Sequence, residues 1–339
     1  MFDLRNKHIL ITGGAGSFGK ACAQYLLQNY APQRLVIFNR DELKQHEMRL
    51  DGLNHPSLCY SIGDVRDFGS LRRAMDEVNV VIHTAALKHV PACEKNPMEA
   101  IKTNIDGSSN VIEAAIDARV ERVIALSTDK AVNPINLYGA TKLVAEKLFV
   151  HANTRRARYP IRLSAVRYGN VFGSSGSVIP LFRKQRKSGV ITITDPRMTR
   201  FCLTQEHAVQ FVIQSLERME GGEIFVPKIP SMRILDLAEA IAPGCKIENS
   251  GIRPWEKLHE VLLSEDDARH TIEFDDSFVV LPMHPWWEGP SQSAKTKTSE
   301  GFRYSSETNT EWVTVPELRN LIGESALDGQ FKKSAIVES

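Results

Sequence analysis

The sequence predicts an α/β chain, a doubly wound parallel sheet followed by a smaller and less regular C-terminal lobe. Short β-branched runs recur through the first half, amphipathic helix-length segments separate them, and each run ends in a polar or glycine-bearing loop. That is the pattern of parallel strands covered by crossover helices on both faces. The predicted strands are Lys7 to Thr12, Arg34 to Phe38, Leu58 to Gly63, Val78 to His83, Arg122 to Leu126 and Arg162 to Arg167. Segments such as Phe18 to Gln28 and Met98 to Ala118 read as the helices between them, with Ala21, Tyr25 and Leu26 at helical spacing in the first. After Tyr168 the rhythm breaks into Gly-, Ser- and Pro-rich loops with helices near Glu206 to Arg218 and Ile234 to Ala242. The expected division is 1–167, then 168–325 with some segments returning to the first unit, then a tail at 326–339. Ser291 to Ser306 is a polar stretch, and the chain after Gly323 reads as frayed.

Composition narrows the function classes. Of 339 residues, 42% are hydrophobic and 24% charged, enough apolar surface for a sizeable core and too much for a disordered chain. Forty-two basic against 41 acidic residues leave a formal charge of +1, so no global field points to nucleic acid or an anionic membrane, and a small-molecule substrate is expected. No apolar run approaches the ~18 residues a membrane helix needs. The start, Met1-Phe2-Asp3-Leu4-Arg5, lacks a signal-peptide pattern, so a cytoplasmic location is expected. The five cysteines form no CxxC and read as buried thiols, and the ten histidines include no HExxH, so no metal site is expected.

The first strand runs into Gly13-Gly14-Ala15-Gly16-Ser17-Phe18-Gly19 and then a helix, which puts glycines at the turn where a dinucleotide pyrophosphate binds. Glycine lets the backbone turn sharply and approach phosphate, and the helix N-terminus offers unpaired amides. Gly13, Gly16 and Gly19, with Ser17 and Phe18 between them, are the candidate cradle. The second strand ends Asn39-Arg40, without the acid that would accept hydrogen bonds from a ribose 2′-hydroxyl. Arg40 can pair with a 2′-phosphate, which favours NADP over NAD. Asp41 and Lys44 are candidates beside it, with Asp41 as a cap of the following helix the alternative. Asp64-Val65 is placed to meet the adenine, and Ala85-Ala86 to line the cofactor trough.

The fifth strand ends Ser127-Thr128-Asp129-Lys130, and Tyr138 and Lys142 follow on one face of a helix. A lysine one turn from a tyrosine lowers the phenol's pKa and can hold a nicotinamide ribose, machinery for taking a hydroxyl proton as hydride leaves carbon. Asp129 and Lys130 add an acid/base pair that simple alcohol oxidation does not need; a solvated ion pair is the alternative.

Ser127-Thr128-Asp129-Lys130-Ala131-Val132-Asn133-Pro134, Tyr138 with Lys142, Arg40-Asp41-Glu42-Leu43-Lys44 and Ala85-Ala86-Leu87-Lys88-His89-Val90-Pro91 resemble the inverting UDP-N-acetylglucosamine 4,6-dehydratases, extended short-chain dehydrogenases with a Rossmann domain. Arg167-Tyr168-Gly169-Asn170-Val171, Asp195 to Phe201, Arg253-Pro254 with Glu256 to Glu260, and Thr308 to Trp312 extend the resemblance to roughly residues 5–322. Retaining dehydratases carry Glu where this chain has Lys130, and a subfamily that couples dehydration to epimerisation has Met where this chain has Tyr138. The chain departs from the family at Trp255, usually Gly, and at Cys202, where an aromatic is common.

The resemblance implies that Tyr138 takes the C4 hydroxyl proton and Thr128 hydrogen-bonds the developing oxyanion, while Lys130, as a neutral amine, takes the C5 hydrogen and Asp129 protonates the leaving C6 hydroxyl. Bound NADP would also meet Lys88 and Val171. Lys88, Asn170, Thr194, Arg200, Arg253 and Glu256 would bind UDP-N-acetylglucosamine; Lys88 faces the mouth with His89, for which helix capping is an alternative. A homo-oligomer, dimer or hexamer, and a role in bacterial surface or flagellar sugars such as pseudaminic acid are implied. The rivals are a UDP-sugar epimerase, either a 4-epimerase or a coupled dehydratase/5-epimerase, and a non-catalytic NADP-binding regulator.

Overall fold

Strands β1 (His8–Thr12), β2 (Arg34–Asn39), β3 (Leu58–Ile62), β4 (Val80–His83), β5 (Arg122–Leu126) and β6 (Arg162–Val166) lie parallel in the order 3-2-1-4-5-6. The computed structural model describes residues 2–173, 178–284, 287 and 296–328. All five residues of β5 and all four of β4 are buried, which is why these strands read as unbroken apolar runs. The chain order reverses between β1 and β4, and in such sheets ligands bind in the crevice beyond the strands' C-terminal ends at that point. Thr12 and His83 face each other there, register partners joined by a 2.7 Å hydrogen bond between Oγ1 and Nδ1.

Among the described residues the sheet has ten strands. Ile224–Pro227 pairs parallel to β6, and Ser277–Val280, Thr271–Glu273 and Thr296–Lys297 continue it antiparallel. Much of the chain after Tyr168 thus returns to the main sheet. The remainder forms a small lobe with its own core, in which Phe182, Ile191, Leu237 and Leu318 are buried. Its strand Thr199–Leu203 lies between Ser231–Arg233 and Asn170–Val171.

Three local expectations change. The helix predicted over Met98 to Ala118 is an α-helix at Pro97–Ile101, a π turn at Lys102–Asp106 and an α-helix at Gly107–Asp117. Asn104, in the wide turn, bonds outwards to the Leu87 backbone and to Thr141 Oγ1. Cys22, Cys93 and Cys202 are buried, but Cys59 on the edge strand β3 and Cys245 in a loop are partly exposed because nothing packs over those positions completely. The last helix, Val315–Asp328, runs through Gly323, held by Leu318 and Ile322 in the lobe core. Residues 291–295 of the polar stretch and 329–339 of the expected tail lie outside the described residues.

Candidate active site

The glycine turn has the shape a phosphate cradle requires. Gly13 sits at φ 66°, a conformation few L residues adopt, and a Cβ there would lie 2.9 Å from the Ala85 backbone. A Cβ on Gly19 would overlap the Gly14 carbonyl oxygen, so only glycine lets the helix Ser17–Asn29 pack this close to the turn. That helix is capped by Gly16 without a side-chain bond and has no acid in its first turn, so its amides and positive end face an incoming anion. Phe18 stacks on Tyr168 at 6.5 Å, and the Ser17 carbonyl accepts a hydrogen bond from Gln205. These residues fit a dinucleotide pyrophosphate.

At the ribose end the sequence candidates separate. Asp41 caps the helix Glu42–Leu50 through the Lys44 amide at 3.2 Å, and its other oxygen lies 3.3 Å from Lys44 Nζ, so these two engage each other. Arg40 is left as the exposed cation, 3.8 Å from an Asp64 carboxylate that Arg66 grips at 2.7 Å. The Val65 side chain is buried against Gly107: a Cβ on that glycine would come within 2.7 Å of it. Ala85 and Ala86 remain partly open beyond β4.

The acid/base residues converge where β5 ends. Thr128 caps a single 3-10 turn, Asp129–Ala131, and donates to Asp129 Oδ1 at 2.9 Å. The helix Leu137–Ala152 lies against that turn because its second residue after Leu137 is Gly139, whose Cβ would overlap the Lys130 carbonyl oxygen. Asn136 caps this helix through the Gly139 amide and donates through its side-chain nitrogen to the Trp255 carbonyl. Tyr138 and Lys142 therefore reach the site from one rigid element.

Electrostatics revise two expectations. Burial pushes the Tyr138 phenol up to about 12, against the opposing pull of the Lys130 charge and a Thr128 hydrogen bond. Lys142, expected to lower it, is itself held down to about 8 by burial despite Glu146. Burial also disfavours the Lys130 ammonium, but Asp129 at 3.0 Å and Glu260 at 3.4 Å outweigh it and hold the amine above its ordinary range. The neutral lysine expected from burial and nearby positive charge is opposed here by the two acids that flank the amine.

The substrate candidates are distributed around this centre. Arg200 is a brace: it donates to the carbonyls of Thr199, Lys257 and Leu258 and lies 3.8 Å from Glu256 and 3.9 Å from Glu260. Thr194 is buried, its hydroxyl on Met198 Sδ. Lys88, Asn170 and Arg253 are exposed, Val171 partly buried, and His89 is the N-cap residue of Val90–Lys95 without a side-chain cap bond. Trp255 sits at φ 67°, which accounts for the family's glycine there; its ring is about half exposed. Cys202 is buried, with Sγ 3.6 Å from the Pro230 carbonyl. Among the described residues no group of His, Cys, Asp or Glu is placed to hold a metal ion, and no helix is long and apolar enough to cross a membrane.

Sequence reasoning missed Asn104, His83 and, as a site residue, Glu260. Asn104 fixes the Leu87 loop to the helix that carries Tyr138, and its sequence signal is weak because Thr103 and Ser108 beside it are buried polar residues too. Burial, with help from the Lys142 charge, holds His83 down to about 3, so it stays neutral in the fold while the unfolded chain takes a proton below about 6.5. Its contribution is therefore lost as pH falls from 6.5, by up to about 1.4 kcal/mol per pH unit. Urea unfolding at pH 7 and pH 5 is expected to show a loss that His83→Gln reduces.

The family profile described as polysaccharide biosynthesis protein matches residues 9–282. A Campylobacter jejuni protein named UDP-N-acetylglucosamine 4,6-dehydratase (inverting) is 49% identical over 334 residues, 96% of this chain and 99% of that one. A Rickettsia rickettsii UDP-glucose 4-epimerase is 44% identical over 286 residues, 82% of this chain and 83% of that one. The X-ray structure of Pen from Bacillus thuringiensis superposes with a TM-score of 0.86 at 37% identity, covering 98% of this chain and all of that one. The glycine cradle, the Tyr138 helix and the Lys130 turn lie within the matched span, and the chain belongs to the polysaccharide biosynthesis protein family, in the company of the inverting UDP-N-acetylglucosamine 4,6-dehydratases.

Proposed function

We propose that the chain removes water from UDP-N-acetylglucosamine across C5 and C6 with inversion at C5, giving a UDP-2-acetamido-2,6-dideoxy-L-hexos-4-ulose. The observation that carries this is an amine, Lys130 Nζ, packed 3.0 Å from Asp129 beside Tyr138, where a 4-epimerase needs only the tyrosine and its lysine. A nicotinamide dinucleotide bound in the glycine cradle supplies the acceptor for the C4 hydride and the donor that returns it to C6. Arg40, exposed at the end of β2 with no acid free to meet a 2′-hydroxyl, favours NADP.

The chain's own residues do the proton work. Tyr138 accepts the C4 hydroxyl proton and Thr128 hydrogen-bonds the oxygen as it becomes a ketone. The ketone acidifies the C5 hydrogen, Lys130 removes it, and the proton gained passes through the 3.0 Å contact to Asp129, whose Oδ2 has no partner among the described residues and delivers it to the departing C6 hydroxyl. A proton returned to the other face of C5 gives inversion. The substrate's uridine diphosphate would lie across the loop of Arg253 and Glu256, with Thr194 towards the base and Asn170 and Lys88 around the sugar. A cytoplasmic homo-oligomer feeding bacterial surface-sugar synthesis completes the reading. An epimerase is the second reading, because the Rickettsia relative carries that name.

Incubation with UDP-N-acetylglucosamine in deuterated water, without added cofactor, is expected to give a 4-keto-6-deoxy product with inverted, deuterated C5 by NMR. A C4 epimer with no label at C5 would establish the epimerase instead.

A further inference from the structure

Glu260 belongs to none of the acid/base motifs, yet it reaches the reaction centre from the far side. It lies at the entry to the strand Val261–Leu263, and its backbone is fixed at both ends: its amide donates to Ser306 Oγ at 3.0 Å and its carbonyl accepts from the Ser306 amide at 2.9 Å. The side chain is 3% exposed. One oxygen, Oε1, lies 3.4 Å from Lys130 Nζ and 3.9 Å from Arg200 Nε, and the other, Oε2, is buried without a hydrogen-bond partner. The charged groups facing it are Lys130 and Asp129 on the 3-10 turn, Arg200 on the strand Thr199–Leu203 and Lys257 on its own loop. A buried carboxylate with an unmet oxygen costs free energy, and a buried ion pair alone is a poor reason to keep one. Nor does the elimination need a second carboxylate to hold the lysine in place, because Asp129 already does so at 3.0 Å.

What the elimination does need is a neutral amine, and the resting site supplies an ammonium. We propose that Glu260 is a positioning residue for Lys130 that acts by taking a proton from its amine across the 3.4 Å contact, so that nitrogen presents a lone pair when the sugar is bound. The step balances within the site: a Lys130 N–H bond breaks with its electron pair left on nitrogen, an O–H bond forms on Glu260, and the pair stays neutral overall. The lone pair then takes the C5 hydrogen as a proton, the C5–H electrons pass into the enolate, and the ammonium is restored. Burial and the neighbouring Asp129 both push the Glu260 carboxyl above the usual carboxylate range, the direction that lets it carry a proton. This rests on the dehydratase reading, in which Lys130 is the C5 base.

The test uses the full chain with its bound nucleotide and compares wild type, Glu260→Gln, Glu260→Asp and Lys130→Ala by kcat, KM for UDP-N-acetylglucosamine and deuterium uptake at C5 from pH 6 to 9. Glu260→Gln is expected to lower kcat about 10²-fold at pH 7 with KM within threefold, and its rate should climb about tenfold per pH unit as solvent takes over removal of the Lys130 proton. Glu260→Asp, which keeps a buried acceptor, should recover much of the neutral-pH rate and the flatter wild-type profile. A Glu260→Gln variant as fast as wild type at pH 7, or slow by one factor at every pH, overturns the proposal; the second result would mark a purely structural role. If Lys130→Ala still turns over, the dehydratase reading itself falls. If Lys130→Ala is inactive while Glu260→Gln is normal, only the role of Glu260 falls.

Discussion

Lys130→Ala is expected to lower the rate of dehydration by about 10²–10⁴-fold, the range set by losing a positioned acid or base, while the protein keeps its nucleotide. The glycine cradle proposed for the nucleotide is built from β1, the helix Ser17–Asn29 and the loop after β4, none of which contains Lys130. The variant has a second consequence. Asp129 and Glu260 both face Nζ, so deleting the amine leaves two buried carboxyls together, and one of them must be protonated. Comparing product formation with nucleotide retention and the melting temperature separates these effects. Unchanged formation of the 4-keto-6-deoxy product would place the C5 base elsewhere.

Arg167→Met is expected to cost about 3–5 kcal/mol of stability, the magnitude for removing one partner of a buried ion pair. Arg167 and Glu146 are almost wholly buried, joined through Nε at 3.0 Å and Nη2 at 2.7 Å. The remaining arm reaches the Leu262 carbonyl at 3.0 Å and Asp267 at 2.9 Å. One guanidinium thus ties the catalytic helix to the segment that leads out of Glu260. Without it, Glu146 loses both guanidinium hydrogen bonds and is left with the Lys142 charge one turn away. Urea midpoints report the loss, and pairing Arg167→Met with Glu146→Leu should restore much of it, since apolar groups carry no desolvation cost. A loss below about 1 kcal/mol in the single variant would show that the site relaxes around the missing charge.

The strands β1 to β6, the glycine cradle and the Tyr138–Lys142 helix are legible in the chain because each is a local pattern. Burial on both faces writes apolar runs, a tight turn writes glycine, and a helix places residues four apart on one face. Asp41 shows where local patterns leave two meanings: a residue after a strand can meet a ribose or cap a helix, and here it caps. Val65 shows that position along the chain does not say which way a side chain turns: this one fills space beside Gly107.

The state of Lys130 shows the wider limit. From its neighbours in sequence, Asp129 is the single acid in view, and burial with the positive charge of Lys142 and an oxidised ring favours a neutral amine. The second acid lies 130 residues further on and arrives only because the strand Val261–Leu263 is pinned against Tyr304–Ser305 and Arg200 braces the loop before it. The sequence by itself determined the fold class and singled out the candidate site residues, since periodicity and side-chain type are local properties. Tertiary structure alone decided the charge on the reacting amine, because a proton's free energy depends on every charge within a few ångströms, whatever its distance along the chain.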